Sequence, residues 1–302
     1  MKRFFILASA AIVALASCAK TEVVYKDAPE EIAFKAFTGA MTKAPVTDDE
    51  FPTTQNMAVY GWNNDGKSKY FEPNPTIFEY DNSQTAWIGS TSQYYPATGA
   101  LDFVAFTQAP TSNTDHLAYS LTLADNKTAQ HDLMASAYVA GKTKNSGKVT
   151  LPFHHTLSLV QVNFKCTGTD VKIKSVELTE TMQAGTVAVS YSAATDGTAP
   201  AINWTPSGSA TSISCDTAKD LTAGSDYVLF AEFLAVPEST NDKKLNIQYV
   251  LNGNTFTHPI DITNNFAVAT KYVFNITIGM TEVLFDASVE DWTLGSTETP
   301  SI

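Results

Sequence analysis

Apolar positions recur every second residue along most of the chain. Met57-Ala58-Val59-Tyr60-Gly61-Trp62, Leu101-Asp102-Phe103-Val104-Ala105-Phe106, Leu157 to Cys166, Val171 to Leu178, Tyr227 to Phe233, Leu245 to Leu251 and Tyr272 to Ile278 alternate or run apolar over strand-sized lengths. They are rich in Val, Ile, Phe, Tyr and Thr, whose branched or aromatic side chains fit a pleated surface. Turn residues punctuate them at Asn63-Asn64-Asp65-Gly66, Ala124-Asp125-Asn126-Lys127 and Thr195-Asp196-Gly197. Between Tyr249-Val250-Leu251 and Thr255-Phe256-Thr257, the step Asn252-Gly253-Asn254 predicts a hairpin, since Asn and Gly tolerate the positive φ of its tight turn. No window of helix length has a 3.6-residue period, and Leu133 to Val139 is too short to count as one. The pattern predicts an all-β protein of sandwiches rather than βαβ units.

A chain of 302 residues exceeds one sandwich of ~100 residues, so two domains are the economical count. A long strand ends at Cys166-Thr167-Gly168-Thr169-Asp170, which sets the expected domains at 31–166 and 167–302. The first half holds Trp62, Trp87 and most of the prolines; the second has the cleaner strands.

The amino terminus breaks the β pattern. Lys2 and Arg3 precede an apolar run from Phe4 to Leu15, shorter than the ~20 residues of a spanning helix, and this combination reads as a signal peptide over residues 1–17. It ends in Leu15-Ala16-Ser17-Cys18, which resembles a bacterial lipobox. That resemblance implies acylation of Cys18 and removal of what precedes it. Residues 18–30 then read as a polar tether between lipid and domain.

Composition narrows the function classes. The formal charge is −12, and Arg3 is the sole arginine. Without Lys/Arg clusters, nucleic acid is excluded as a partner, and sites for phosphorylated ligands lose their bidentate clamp. After Cys18 only Cys166 and Cys215 remain, both on the apolar parity of strand-like segments, where either a disulfide or two buried thiols fits. His154 and His155 are neighbours on a strand and point to opposite faces, so they cannot chelate one ion together; a structural role, one ring in the core and one at the surface, is expected. No metal site and no cofactor is expected. The chain has no His-Glu-x-x-His, Gly-x-Ser-x-Gly, Walker loop or paired Cys-x-x-Cys, and no enzymatic activity is expected. Trp62, Trp87, Tyr94 and Tyr95 are candidates for a sugar-stacking platform, which makes a surface glycan-binding lipoprotein the alternative reading; inter-loop packing is the competing role.

Three separated motifs bear a family likeness. His131-Asp132-Leu133-Met134-Ala135, then Leu151-Pro152-Phe153-His154-His155-Thr156-Leu157-Ser158-Leu159-Val160, then Lys271-Tyr272-Val273-Phe274-Asn275-Ile276-Thr277-Ile278 leading to Val289-Glu290-Asp291-Trp292, stand in this order. The set resembles the fimbrillin (Mfa-like, FimA-like) lipoproteins of Bacteroidota-type bacteria. The resemblance implies two tandem transthyretin-like β-sandwich domains, localisation at the outer membrane and in a fimbrium, and other fimbrial subunits as partners, with outer-membrane lipid reached through Cys18 and a glycan or host surface as a further ligand. It also implies assembly by strand donation, in which a protease removes the first strand and a neighbour's strand replaces it. Here that removable strand contains Ile32, Phe34 and Phe37 as plug residues. Where relatives read Thr-Arg-Ala at the cleavage site, this chain reads Thr42-Lys43-Ala44; processing between Lys43 and Ala44 would need a protease that accepts lysine, and an uncut chain would instead stay lipidated as an anchor. Asp216-Thr217-Ala218 resembles an O-glycosylation site of these bacteria, with Thr217 as acceptor.

Overall fold

Two apolar runs, at residues 57–62 and 101–106, are buried at every position. Alternation on a strand sends successive side chains to opposite faces, so burial throughout means that each run is covered on both sides, and the first half of the molecule is built around them. The computed structural model describes residues 29–38, 51–127, 130–238 and 242–292. Cys18, Lys43 and Ala44 lie outside the described residues.

The strands in chain order begin with β1 (Ala33–Thr38), β2 (Met57–Asn63), β3 (Thr76–Asp81), β4 (Ala86–Gly89), β5 (Leu101–Phe106), β6 (Ser112–Asp115) and β7 (Ala118–Leu123). They continue with β8 (Met134–Ser136), β9 (Val139–Lys142), β10 (Val149–His155), β11 (Ser158–Cys166), β12 (Val171–Thr181), β13 (Gly185–Ser190) and β14 (Ala201–Pro206). The last seven are β15 (Thr211–Cys215), β16 (Lys219–Leu221), β17 (Val228–Ala235), β18 (Lys243–Leu251), β19 (Asn254–Ile262), β20 (Thr270–Ile278) and β21 (Val283–Asp291). The described residues form no helix.

Eight strands make the first sheet, in the order β2-β3-β4-β1-β10-β8-β5-β9, and β2 pairs also with β5. That extra pairing bends the sheet into a ring, with β9 attached outside it on β5. Phe34, Val59, Phe78, Phe103, Leu151 and Phe153 belong to the core within the ring. The other faces of β2 and β5 present Tyr60, Trp62, Val104 and Phe106 to a second core shared with Tyr119, Leu121, Val187 and Val189, which come from the sheet ordered β14-β13-β7-β6. Trp62 Nε1 donates to Tyr119 Oη at 2.9 Å across this layer.

The remaining strands form two sheets, β17-β11-β20-β21 and β15-β12-β18-β19, with β16 paired to β12. They enclose a separate core that includes Val162, Phe164, Val176, Ile247 and Phe274. Asn252 and Gly253 turn β18 into β19 with φ of 50° and 79°, and Leu251 pairs with Asn254, which is the predicted hairpin.

Strand pairing departs from the expected division at 166/167 in two places. β11 pairs with β17 and β20, so its apolar row faces the later core; the chain crosses between lobes near Thr156-Leu157 rather than at Gly168. The β13–β14 hairpin goes the other way and joins the earlier lobe through β7. The disulfide option fails as well, because Cys166 and Cys215 are free. They stand on different sheets, β11 and β15, and Cys215 Sγ approaches the Phe230 carbonyl at 3.9 Å.

Candidate functional site: the strand β1 and its groove

β1 is a short strand, yet it has neighbours on both sides. It runs parallel to β10, from Phe34 opposite Val149 to Thr38 opposite Phe153, and antiparallel to β4 at Ala33–Ile88 and Phe34–Trp87. The residues before it are tied in by Tyr95 N–H to Glu30 O at 3.0 Å and Ile32 N–H to Gln93 O at 2.7 Å. β4 and β10 do not pair with each other, so β1 is the stave that closes this part of the ring. Taking it out would leave two unpaired edges facing one another across an apolar slot, the arrangement that accepts a replacement strand.

The slot's interior explains why this sequence occupies it. Ile32 and Phe34 are fully buried and Lys35 is exposed. The Phe34 ring meets Phe78 edge-on at 4.8 Å and Phe103 at 5.1 Å, within the favourable range for aromatic pairs. Phe71 completes the cage, 5.9 Å from Phe78 and 5.8 Å from Phe103. It lies flat on Gly61, where an added Cβ would come within 2.8 Å of the ring, so the glycine in the β2 run is required by close approach. Burying Ile32 and Phe34 stabilises by about 1.5–3 kcal/mol each. The third expected plug residue, Phe37, is half-buried and lies on the parity opposite to Phe34; Ala36 takes that place against the core.

At the carboxyl end of β10, the three family-like motifs meet. His155 is buried and its Nδ1–H donates to Asp132 Oδ2 at 2.7 Å. Trp292 stacks on the same ring, with 3.7 Å between centroids and 8° between planes. His154 faces the other way and is half-buried; burial lowers its pKa, and His155 beside it adds to the effect. The sequence places His155 and Asp132 on strand and loop, but nothing in the pattern shows that Trp292, 137 positions further along, closes over them.

The aromatic platform does not form. Trp62, Trp87 and Tyr95 are buried, and Trp87 Nε1 is bonded to Gln55 O at 2.9 Å; Tyr94 alone of the four is exposed, at 43 %. A surface depression of about 470 Å³ on the β3–β4 hairpin is lined by Glu79, Asp81, Ser83 and Ile88, without a tryptophan. Thr217 lies in the exposed loop between β15 and β16. Among the described residues, no group of three or more His, Cys, Asp or Glu is placed to hold a metal ion.

The fold and groove define a class: an all-β protein whose amino-terminal strand completes a ring built by later parts of the chain. The chain belongs to the fimbrillin-like family, whose profile matches residues 42–292, a span that begins after β1 and ends on Trp292. A Bacteroides uniformis protein bearing the name fimbrium subunit Fim1C is 28 % identical over 308 residues, covering 98 % of this chain and 96 % of that one. Crystal structures described as cell adhesion proteins share the fold. One from Bacteroides uniformis has a TM-score of 0.56 at 21 % identity, covering 87 % of this chain and 99 % of its own. Another from Bacteroides ovatus has 0.54 at 15 % identity, covering 89 % and 100 %.

Proposed function

We propose that this protein is a structural subunit of a cell-surface fimbria, or its membrane anchor, joined to its neighbours by strand exchange at the β1 groove and without enzymatic activity. The carrying observation is the position of β1, held between two strands that have no pairing with each other. Family membership and the similarity to a protein named as a fimbrium subunit support the same reading. On this reading the two lobes are tandem sandwiches of the transthyretin-like kind, the first borrowing the β13–β14 hairpin. Export with lipid on Cys18 delivers the precursor to the outer membrane, and a cut between Lys43 and Ala44 frees the segment carrying Ile32, Phe34 and Phe37. An uncut chain keeps both lipid and β1 and serves as the anchor. Thr217, exposed in its loop, is accessible to a glycosyltransferase. The glycan-binding alternative loses most of its support with the burial of Trp62, Trp87 and Tyr95.

The experiment is amino-terminal analysis of the protein from its cells, combined with sizing of the purified chain before and after cleavage at Lys43. Cleaved protein should start at Ala44 and convert from monomer to polymer. A cleaved chain that has lost β1 and stays monomeric at high concentration refutes the exchange.

A further inference from the structure

β21 is an open edge. It pairs with β20 from Val283 to Asp291 without a register shift, and among the described residues no strand lies on its far side. Protein sheets commonly blunt such edges by shortness, proline, lysine or a bulge. The other edges of this molecule are blunted. β6 and β9 have four residues, β15 five and β16 three; β14 ends in Pro206, β17 carries a register shift against β11 and β19 contains Pro259. β21 has nine residues and none of these devices.

The main-chain groups of an antiparallel strand point alternately to its two sides. Trp292 N–H donates to Ala269 O at 2.9 Å and Gly279 N–H donates to Glu282 O at 2.8 Å, so the even-numbered residues of β21 turn toward β20. Val283, Phe285, Ala287, Val289 and Asp291 therefore direct their N–H and C=O groups outward. The side chains of these residues share a face as well. Val283 to Val289 stand opposite Ile278, Ile276, Phe274 and Tyr272, the row of β20 that builds the core, and the Phe285 ring lies 5.4 Å from Phe274. The core ends before it covers them: Phe285 is 36 % and Val289 56 % exposed. One margin of the protein thus presents unpaired main-chain groups beside bare apolar side chains.

We propose that β21 pairs with β21 of a second copy, antiparallel about a two-fold axis at Ala287, so that two four-stranded sheets become one. Ala287 is the midpoint of the strand, and this register uses its whole length. Phe285 then stands opposite Val289 of the second copy, the kind of apolar cross-strand pair that stabilises a sheet. Asp286 meets Ser288, Leu284 meets Glu290 and Val283 meets Asp291. Moving the axis by one residue sets Asp286 against its own copy in one direction and against Glu290 in the other, and like charges directly opposite destabilise. A two-fold contact is self-complementary and closes at two copies. The pairing leaves β1 in its groove, so it is separate from strand exchange and needs no cut.

Cysteine trapping and sedimentation test it, in the full chain with Cys18→Ser to remove the lipid and Cys215→Ser to remove the half-buried thiol. Opposed residues of a hydrogen-bonded antiparallel pair have Cα atoms about 5.5 Å apart, within disulfide reach. Ala287→Cys should cross-link to itself; Phe285→Cys alone should not, but its mixture with Val289→Cys should. An edge contact of this length belongs with interfaces under about 1,200 Å², so sedimentation equilibrium at about 100 µM should show a reversible dimer. Ala287→Pro removes an outward N–H, which an edge strand tolerates, and should weaken the dimer about tenfold or more with the melting temperature kept. Should that variant melt early, Val289→Lys at an exposed position reads the same loss. Deleting residues 293–302 should leave the dimer unchanged. A chain that stays monomeric at that concentration overturns the pairing. So do equal cross-linking of Phe285→Cys and Ala287→Cys, a dimer that Ala287→Pro and Val289→Lys do not weaken, and a dimer that forms only after the deletion, which assigns the edge to the chain's own tail.

Discussion

Asp102 interrupts the apolar run of β5 and is fully buried, where a carboxylate survives only if its charge is matched. Lys67 pairs with it, Asn64 Nδ2 (2.7 Å) and Gly141 N–H (2.9 Å) donate to Oδ1, and Tyr138 Oη (3.0 Å) donates to Oδ2. Burial pushes its pKa up, but these donors together outweigh burial and hold it below the usual value. A depressed carboxyl contributes stability that is fully present above the unfolded pKa of about 3.9 and is lost as pH falls through the folded value. Urea midpoints should therefore drop as the medium is acidified below about pH 4, and Asp102→Asn should flatten that drop. Asp102→Ala should cost about 3 kcal/mol at neutral pH by leaving Tyr138 and Lys67 unmatched. At β1, Phe34→Ala should cost about 3–5 kcal/mol and Phe37→Ala about 1 kcal/mol or less; equal costs would refute the register described for the strand. Asp102 was visible in the sequence as a lone charge among apolar residues, but its four partners come from distant positions and were not. The parity of Phe37 was legible, since 32, 34 and 37 cannot all share one face of an unbroken strand.

At the scale of the element, β1 is specified by a row, Ile32, Phe34 and Ala36, and by an exposed Lys35 between its members. A one-residue slip would turn that whole row out of the slot. A peptide of residues 31–38 should bind the emptied groove, and the same peptide with Phe34 and Lys35 exchanged should not; fluorescence anisotropy of labelled peptides distinguishes them. The longer strands were read from their alternation: β11, β12, β18 and β20 stand where the pattern puts them, and the Asn252-Gly253 turn follows from its residue types. β3, β4, β6 and β14 are short and carry polar or mixed residues, so their strand character comes from neighbours rather than from their own pattern.

Across the whole molecule, the chain does not divide into two consecutive halves. Val187 and Val189 on β13 cover the outer faces of β2 and β5, and β13 pairs with β7 from Leu123 to Ala118. A fragment of residues 31–166 should therefore fail to fold cooperatively, because it lacks this cover and carries β11 without its partners β17 and β20; circular dichroism melts and proton shift dispersion check this. A fragment that melts as sharply as the full chain would show that the hairpin is dispensable. The continuous apolar runs at 57–62 and 101–106 did signal burial on both faces. What covers the second face was not legible, because no local pattern records a pairing between residues more than sixty positions apart.

A ring closed by its own first strand also solves a problem of transit. An edge able to join subunits into a polymer is equally able to join them in the wrong place and at the wrong time. With β1 in the gap between β4 and β10, an exported subunit of the proposed kind would travel with its adhesive edges already occupied by a piece of itself. On the strand-exchange reading it needs no separate escort to keep them apart, and a single peptide-bond cut becomes the clock that decides where growth begins.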